Sequence, residues 1–306
     1  MLSNFNPKED AINLNKAITK PKDMNKLINI VAHRSNSQRQ VILNEYYEYF
    51  KKNLLDELKS ELSGNFKETV ISLFYTPVDF DCYHLDKAMK RLGTNEDTLI
   101  EILASRSNER IKEIKKRYKE IYNRDLVKDV EKDTSGTFRK ILKRLLDGCR
   151  PNNYANEQEC NESAQRLYTA ALNKKESLND TFIYMFTEKS REEIALIAKI
   201  YYKWYSQTLF ELIESLFSGD FKRILKAIIY SLLSPSEYFA YRIHKAVKGI
   251  GTKDTILIRV LVSRDEIDIE RIKRYYRQLY DKSLYDTVKN ETSGDYQKIL
   301  LELIGN

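Results

Sequence analysis

The tetrapeptides SGNF (63–66), SGTF (135–138), SGDF (218–221) and SGDY (293–296) write this chain as four copies of one unit. Their glycines, Gly64, Gly136, Gly219 and Gly294, stand 72, 83 and 75 positions apart, and KETVISLF, RKILKRLL, KRILKAII and QKILLELI follow them. The copies agree upstream as well. Tyr46, Tyr118, Tyr201 and Tyr276 lie 18 positions before their glycine; Phe50, Tyr122, Tyr205 and Tyr280 lie 14 before, and Leu54, Leu126, Leu209 and Leu284 lie 10 before. Steps of four keep one helical face, so these positions read as core. A repeat of this length is one supersecondary unit that buries its apolar face against its neighbours.

The unit is helical. Only nine Gly and five Pro occur in 306 residues, helix formers abound, and no strand-period segment competes. The expected fold is all-α, with units over 11–76, 80–147, 161–233 and 236–305 and a short tail over 1–10. The longer second gap contains DGCRPNNYANEQEC, a polar stretch with Pro151, so residues 148–160 read as a linker between two pairs of units. In TNEDTLIEILASR (94–106), Thr94 followed by Asp97 predicts a helix N-cap pair.

Charge and cysteine usage narrow the class. A net charge of +7 and a pI near 9.0 favour polyanions, either nucleic acid or an anionic membrane surface. Cys82, Cys149 and Cys160 lack zinc spacing and an even count, which fits a reducing compartment. MLSNFNPKED has no apolar signal-peptide core and no run reaches a membrane span, so the expectation is a cytoplasmic protein that associates peripherally with membranes.

Catalysis has no support: His33, His84 and His244 show no metal spacing, and neither G-x-S-x-G nor a P-loop is present. The runs RIKEIKKRYKE (110–120) and IERIKRYYRQLY (269–280) mix basic and aromatic residues, but interspersed acids make them ordinary exposed helix faces, and nucleic acid is the weaker partner. The stretch KGIGTKD (248–254) leaves two readings open. Its glycines either end a helix or turn backbone oxygens toward a ligand.

AMKRLGTNEDTLIEILASRSN (88–108), HRSNSQRQ (33–40), LKSELSGNF (58–66) and AVKGIGTKDTILIRVLVSR (246–264) together resemble an annexin core, and the likeness runs from about Ala11 to Ile304. The resemblance implies four repeats of five helices in a curved disc. It also implies calcium-dependent binding to anionic phospholipid, of the phosphatidylserine kind, and self-association at the membrane surface. Calcium takes roughly six to eight oxygens at about 2.3–2.6 Å, so loop carbonyls need an acid from elsewhere.

Carried onto repeat IV, the annexin pattern assigns the carbonyls of Val247, Gly249 and Gly251 and the carboxylate of Glu291, 42 positions after Gly249. Thr252 and Asp254 would support a weaker neighbouring ion. In repeat II, Met89, Gly93 and Asp133 fit, with Arg91 in place of the first glycine. Repeat I has the shorter, glycine-free loop AITKPKDMN beside Glu61; repeat III reads ALNKKESLND, with Leu216 where the acid belongs and Glu214 out of register.

These two degenerate loops carry Lys20 and Lys22, and Lys174 and Lys175. Their ammonium groups are expected to meet lipid phosphates without calcium, each basic residue contributing about 1 kcal/mol near an anionic bilayer. Leu92 and Ile250 are expected at the lipid interface. The alternative function is a calcium-independent electrostatic binder of acidic membranes or nucleic acid.

Overall fold

The computed structural model describes residues 5–90, 93–173, 177–249 and 251–305. Every regular element among them is a helix. Repeat I comprises α1 (Pro7–Ile18), α2 (Met24–His33), α3 (Asn36–Phe50), α4 (Leu54–Glu61) and α5 (Gly64–Phe74). Repeat II comprises α6 (Pro77–Met89), α7 (Glu96–Ser105), α8 (Asn108–Tyr122), α9 (Leu126–Asp133) and α10 (Gly136–Asp147). Repeat III comprises α11 (Glu157–Asn173), α12 (Leu178–Glu188), α13 (Arg191–Tyr205), α14 (Leu209–Leu216) and α15 (Gly219–Leu233). Repeat IV comprises α16 (Pro235–Val247), α17 (Asp254–Tyr280), α18 (Leu284–Glu291) and α19 (Gly294–Ile304). Helix α17 breaks at Asp268 (φ −154°, ψ 26°), so it stands for two helices and the five-helix unit holds in all four copies.

Local chemistry explains why the copies fold alike. Each third helix ends on a residue in the left-handed region, Lys51, Asn123, Ser206 or Asp281. Each fourth helix then starts under a capping side chain, from Asn53, Asp125, Thr208 or Ser283. The SG turn follows: its glycine opens the fifth helix at φ near +60° in every copy, between 57° and 63°, where a Cβ would be strained. That turn fixes how the end of the fourth helix is presented.

Tyr46, Tyr118, Tyr201 and Tyr276 are buried, as are Leu54, Leu126, Leu209 and Leu284. The middle positions differ from the core expectation. Phe50, Tyr122, Tyr205 and Tyr280 are only half-buried, each ring lying 4.7–5.0 Å from the buried tyrosine four positions before it. The Tyr46 hydroxyl donates to Glu57 and the Tyr118 hydroxyl to Asp129. Eleven positions after Tyr201 stands Leu212, and the buried Tyr201 hydroxyl has no hydrogen-bond partner among the described residues; burial pushes it up to about 12.

The chain divides into two compact units that do not follow sequence order. One holds Met1–Phe80 with Phe239–Asn306, the other Asp81–Tyr238, so repeat I groups with repeat IV and repeat II with repeat III. The polar stretch around Pro151 therefore runs within the second unit, where the sequence alone suggests a junction between pairs. Its residues are tied in: Asn108 donates to the Arg150 carbonyl at 2.6 Å, and the Arg150 guanidinium donates to the carbonyls of Phe186 and Lys189.

In the first unit α19 packs on α2 and α5, and Ile299 and Leu303 join a core of Leu14, Leu27, Ile42 and Leu58. In the second, α15 packs on α7. In repeats III and IV the fourth residue after the SG glycine links the paired repeats. Lys298 reaches Asn25 at 3.1 Å, and Arg223 pairs with Asp97. No helix among the described residues is long and apolar enough to cross a membrane.

Candidate metal and membrane-contact site

In repeats I, II and IV the candidate loop joins the first and second helices and meets the end of the fourth. In repeat IV, residues 248–253 link α16 to α17. Lys248 N–H donates to His244 O at 2.8 Å, and Lys253 N–H closes the loop on Ala246 O at 2.7 Å. Gly249 (φ 120°) and Gly251 (φ 80°) hold angles that side chains resist, yet among the described residues beyond their chain neighbours no atom lies within 4 Å of where a Cβ would stand. Packing does not demand these glycines; the backbone path does. Among the described residues no backbone N–H outside the helices donates to the carbonyls of Val247, Gly249 or Gly251.

Glu291 is exposed and forms the last residue of α18. The Thr252 hydroxyl approaches its carbonyl oxygen at 3.2 Å and its carboxylate Oε2 at 3.3 Å, so the acid stands at the loop's edge. Uncommitted carbonyls beside one carboxylate suit a hard cation with oxygen ligands. Among the described residues no three His, Cys, Asp or Glu side chains converge on one point, and a carbonyl-built cradle requires only one acid. Asp254, the first residue of α17, sits close to the buried Tyr296 hydroxyl; burial and then the Asp254 charge raise that phenol far above its ordinary value. Ile250 lies outside the described residues.

Repeat II reproduces the frame. Asn95 N–H donates to Ala88 O at 2.9 Å, Gly93 has φ 86°, and the Thr94 hydroxyl donates to the Asp133 carbonyl at 2.8 Å. Asp133 ends α9, and Met89, which ends α6, is buried. The N-cap of α7 is Asn95, whose side chain accepts from Thr98 N–H, and not the expected Thr94. The reason is direct: the Thr94 hydroxyl is already committed to Asp133. Arg91 and Leu92 lie outside the described residues.

The degenerate loops diverge in different ways. In repeat I, Asp23 N–H closes on Ala17 O at 2.9 Å, and Asp23 caps α2. The Lys22 ammonium donates to the Glu61 carbonyl at 2.8 Å and pairs with its Oε2 at 2.8 Å, while Lys20 is exposed. In repeat III, Leu216 ends α14 and Glu214 turns away to Lys222 and Lys226 of α15, at 2.7 and 2.8 Å. Hydrogen bonds from those two ammonium groups hold the Glu214 carboxyl down at about 2. Lys174 and Lys175 lie outside the described residues. On α8, Arg110 and Arg117 pair with Glu113 and Glu120, which answers part of that helix's positive charge internally.

Position 252 and its counterparts are what sequence reasoning undervalued. The residue just before the second helix's cap is Lys22, Thr94 or Thr252, and in each case its side chain reaches the carbonyl that ends the fourth helix. Its fixed place before the cap is a readable signal, but its contact some 40 residues downstream is not.

Comparison with known proteins agrees with this frame. A family profile described as Annexin matches residues 9–73, 80–145, 162–228 and 238–303. Annexin A1 of Homo sapiens is 40% identical over 303 residues, spanning 98% of this chain and 88% of that protein. A solved structure of annexin III is 38% identical with a TM-score of 0.96, covering 99% of this chain and 95% of that one. A structure described as calcium-bound annexin (Sm)1 is 31% identical with a TM-score of 0.87, covering 99% and 91%.

Proposed function

Because this chain belongs to the annexin family, we propose that it binds anionic phospholipid membranes reversibly and through calcium, with repeat IV as its principal site. The observation that carries this reading is the junction of an open glycine loop with Glu291, tied together by Thr252. The carbonyls of Val247, Gly249 and Gly251 and the Glu291 carboxylate would hold the ion. Calcium held there would supply a hard positive charge that these ligands leave only partly neutralised and that would attract a lipid phosphate oxygen.

The chain's own residues prepare that encounter. Gly249 and Gly251 let successive peptides turn without strain. Thr252 bonds the end of α18, so the Glu291 carboxylate is held at the loop's edge before any ligand arrives. Thr252 and Asp254 are the candidate ligands of a weaker neighbouring ion, and Met89, Gly93 and Asp133, with the Arg91 carbonyl, form a second site in repeat II. Lys20, Lys174 and Lys175 are candidate calcium-free phosphate contacts, whereas Lys22, expected to act with them, is engaged by Glu61; Leu92 and Ile250 are candidate interfacial side chains. Calcium and lipid should raise each other's affinity by the same factor.

Sedimentation with phosphatidylserine vesicles, in calcium and in chelator, tests the reading on the wild type and on Glu291→Gln. Calcium-dependent pelleting is expected, and the variant should need about tenfold more calcium for half-maximal binding, a loss of about 1.4 kcal/mol. Equal pelleting in calcium and chelator would mean that fixed basic charge does the binding instead.

A further inference from the structure

We propose that Lys22 is an intramolecular replacement for the metal in repeat I: its ammonium occupies Glu61 and keeps a divalent-cation site at that acid closed. The inference rests on the reading that acids ending the fourth helices hold calcium.

Backbone geometry sets the equivalence of the loops independently of side chains. The closing bonds Asp23 N–H to Ala17 O, Asn95 N–H to Ala88 O and Lys253 N–H to Ala246 O measure 2.9, 2.9 and 2.7 Å. The residue before each donor is Lys22, Thr94 or Thr252. All three side chains bond the carbonyl of the residue that ends the fourth helix, at 2.8, 2.8 and 3.2 Å.

Chemistry separates them. A threonine hydroxyl ties the loop to the acid and leaves the carboxylate charge uncompensated. The Lys22 ammonium makes the same tie and also meets Glu61 Oε2 at 2.8 Å, so the charge that would draw a cation is already matched. A cation must displace Lys22 to reach Glu61. The pair is partly open, with side-chain exposures of 33% and 42%, so water screens it and its hold is moderate. Repeat I is thereby clamped in one state whether or not calcium is present, and the clamp does not depend on the missing glycines.

The test places Lys22→Thr in a chain whose other two acids are neutralised by Asp133→Asn and Glu291→Gln. Lys22→Ala serves as a second variant and Lys22→Arg as the cation-retaining control. Thermal unfolding is followed in chelator and in millimolar calcium without lipid. The double-neutralised chain and its Lys22→Arg form should show no calcium response. The Lys22→Thr and Lys22→Ala forms should rise by about 3 °C in calcium at tenfold over their dissociation constant, and adding Glu61→Gln should remove that rise.

No rise in either variant overturns the inference, as does a rise that survives Glu61→Gln. The premise is read separately in the wild type. Its calcium-dependent rise should be lost in the double-neutralised chain; a wild type that does not respond overturns the calcium reading itself.

Discussion

Repeats I and IV both end their fourth helix on a glutamate, Glu61 or Glu291, and both bring it to the loop between the first two helices. The two acids meet different company. Glu291 faces a hydroxyl and two glycines at φ 120° and 80°; Glu61 faces an ammonium in a loop with no glycine. On the proposal above, keeping the acid is not enough to keep the site: the residue before the second helix's cap must also tie the loop with a neutral group rather than a charge.

That comparison breaks most sharply if repeat IV is given repeat I's residue. Thr252→Lys should place an ammonium on Glu291 and raise the calcium needed for half-maximal vesicle binding by more than tenfold, over 1.4 kcal/mol. Unchanged calcium dependence would show that the charge at this position is irrelevant. Gly251→Ala probes the backbone alone, because a Cβ there meets no atom within 4 Å. The positive φ should cost about 1 kcal/mol, raising the calcium requirement roughly fivefold in the same vesicle titration.

The smallest effect concerns how each loop begins. In repeat II the loop begins with Lys90 N–H donating to Asp86 O at 3.0 Å, and the Asp86 carboxylate pairs with Lys90 at 2.7 Å and with Arg124. In repeat IV the corresponding carbonyl belongs to His244, stacked 3.7 Å from Tyr280. Burial, then Lys248, Lys245 and Lys282, depress its pKa below 6.5. Between pH 6.5 and that depressed value the unfolded chain takes up the proton more readily than the folded one. Stability from this group is therefore full above pH 6.5 and declines as pH falls. His244→Gln should remove that contribution, so its melting temperature should fall about 1–2 °C less than the wild type's between pH 7 and pH 5. An equal fall in both would show that His244 is not the group responsible.

Much of the molecule was legible because its signals are local and written four times. The SG turn, the tyrosine and leucine at fixed distances before it, and the glycine loop all act within a few turns of helix. Four copies separate a rule from coincidence. The less legible features depend on distant partners. Nothing near Phe50 or Tyr122 shows that these rings lie half in solvent over a buried tyrosine. Nothing near Thr94 shows that its hydroxyl goes to Asp133 rather than to its own helix.

The sequence by itself determined that the chain is all-α, built from four units, with an acid placed to meet a glycine loop in repeat IV. Periodicity and backbone preference specify these through neighbours a few residues apart. Tertiary structure alone decided that repeat I groups with IV and repeat II with III, and that Lys22 answers Glu61 while Thr252 answers Glu291. Both depend on residues tens to hundreds of positions apart, and such contacts exist only once the helices have packed.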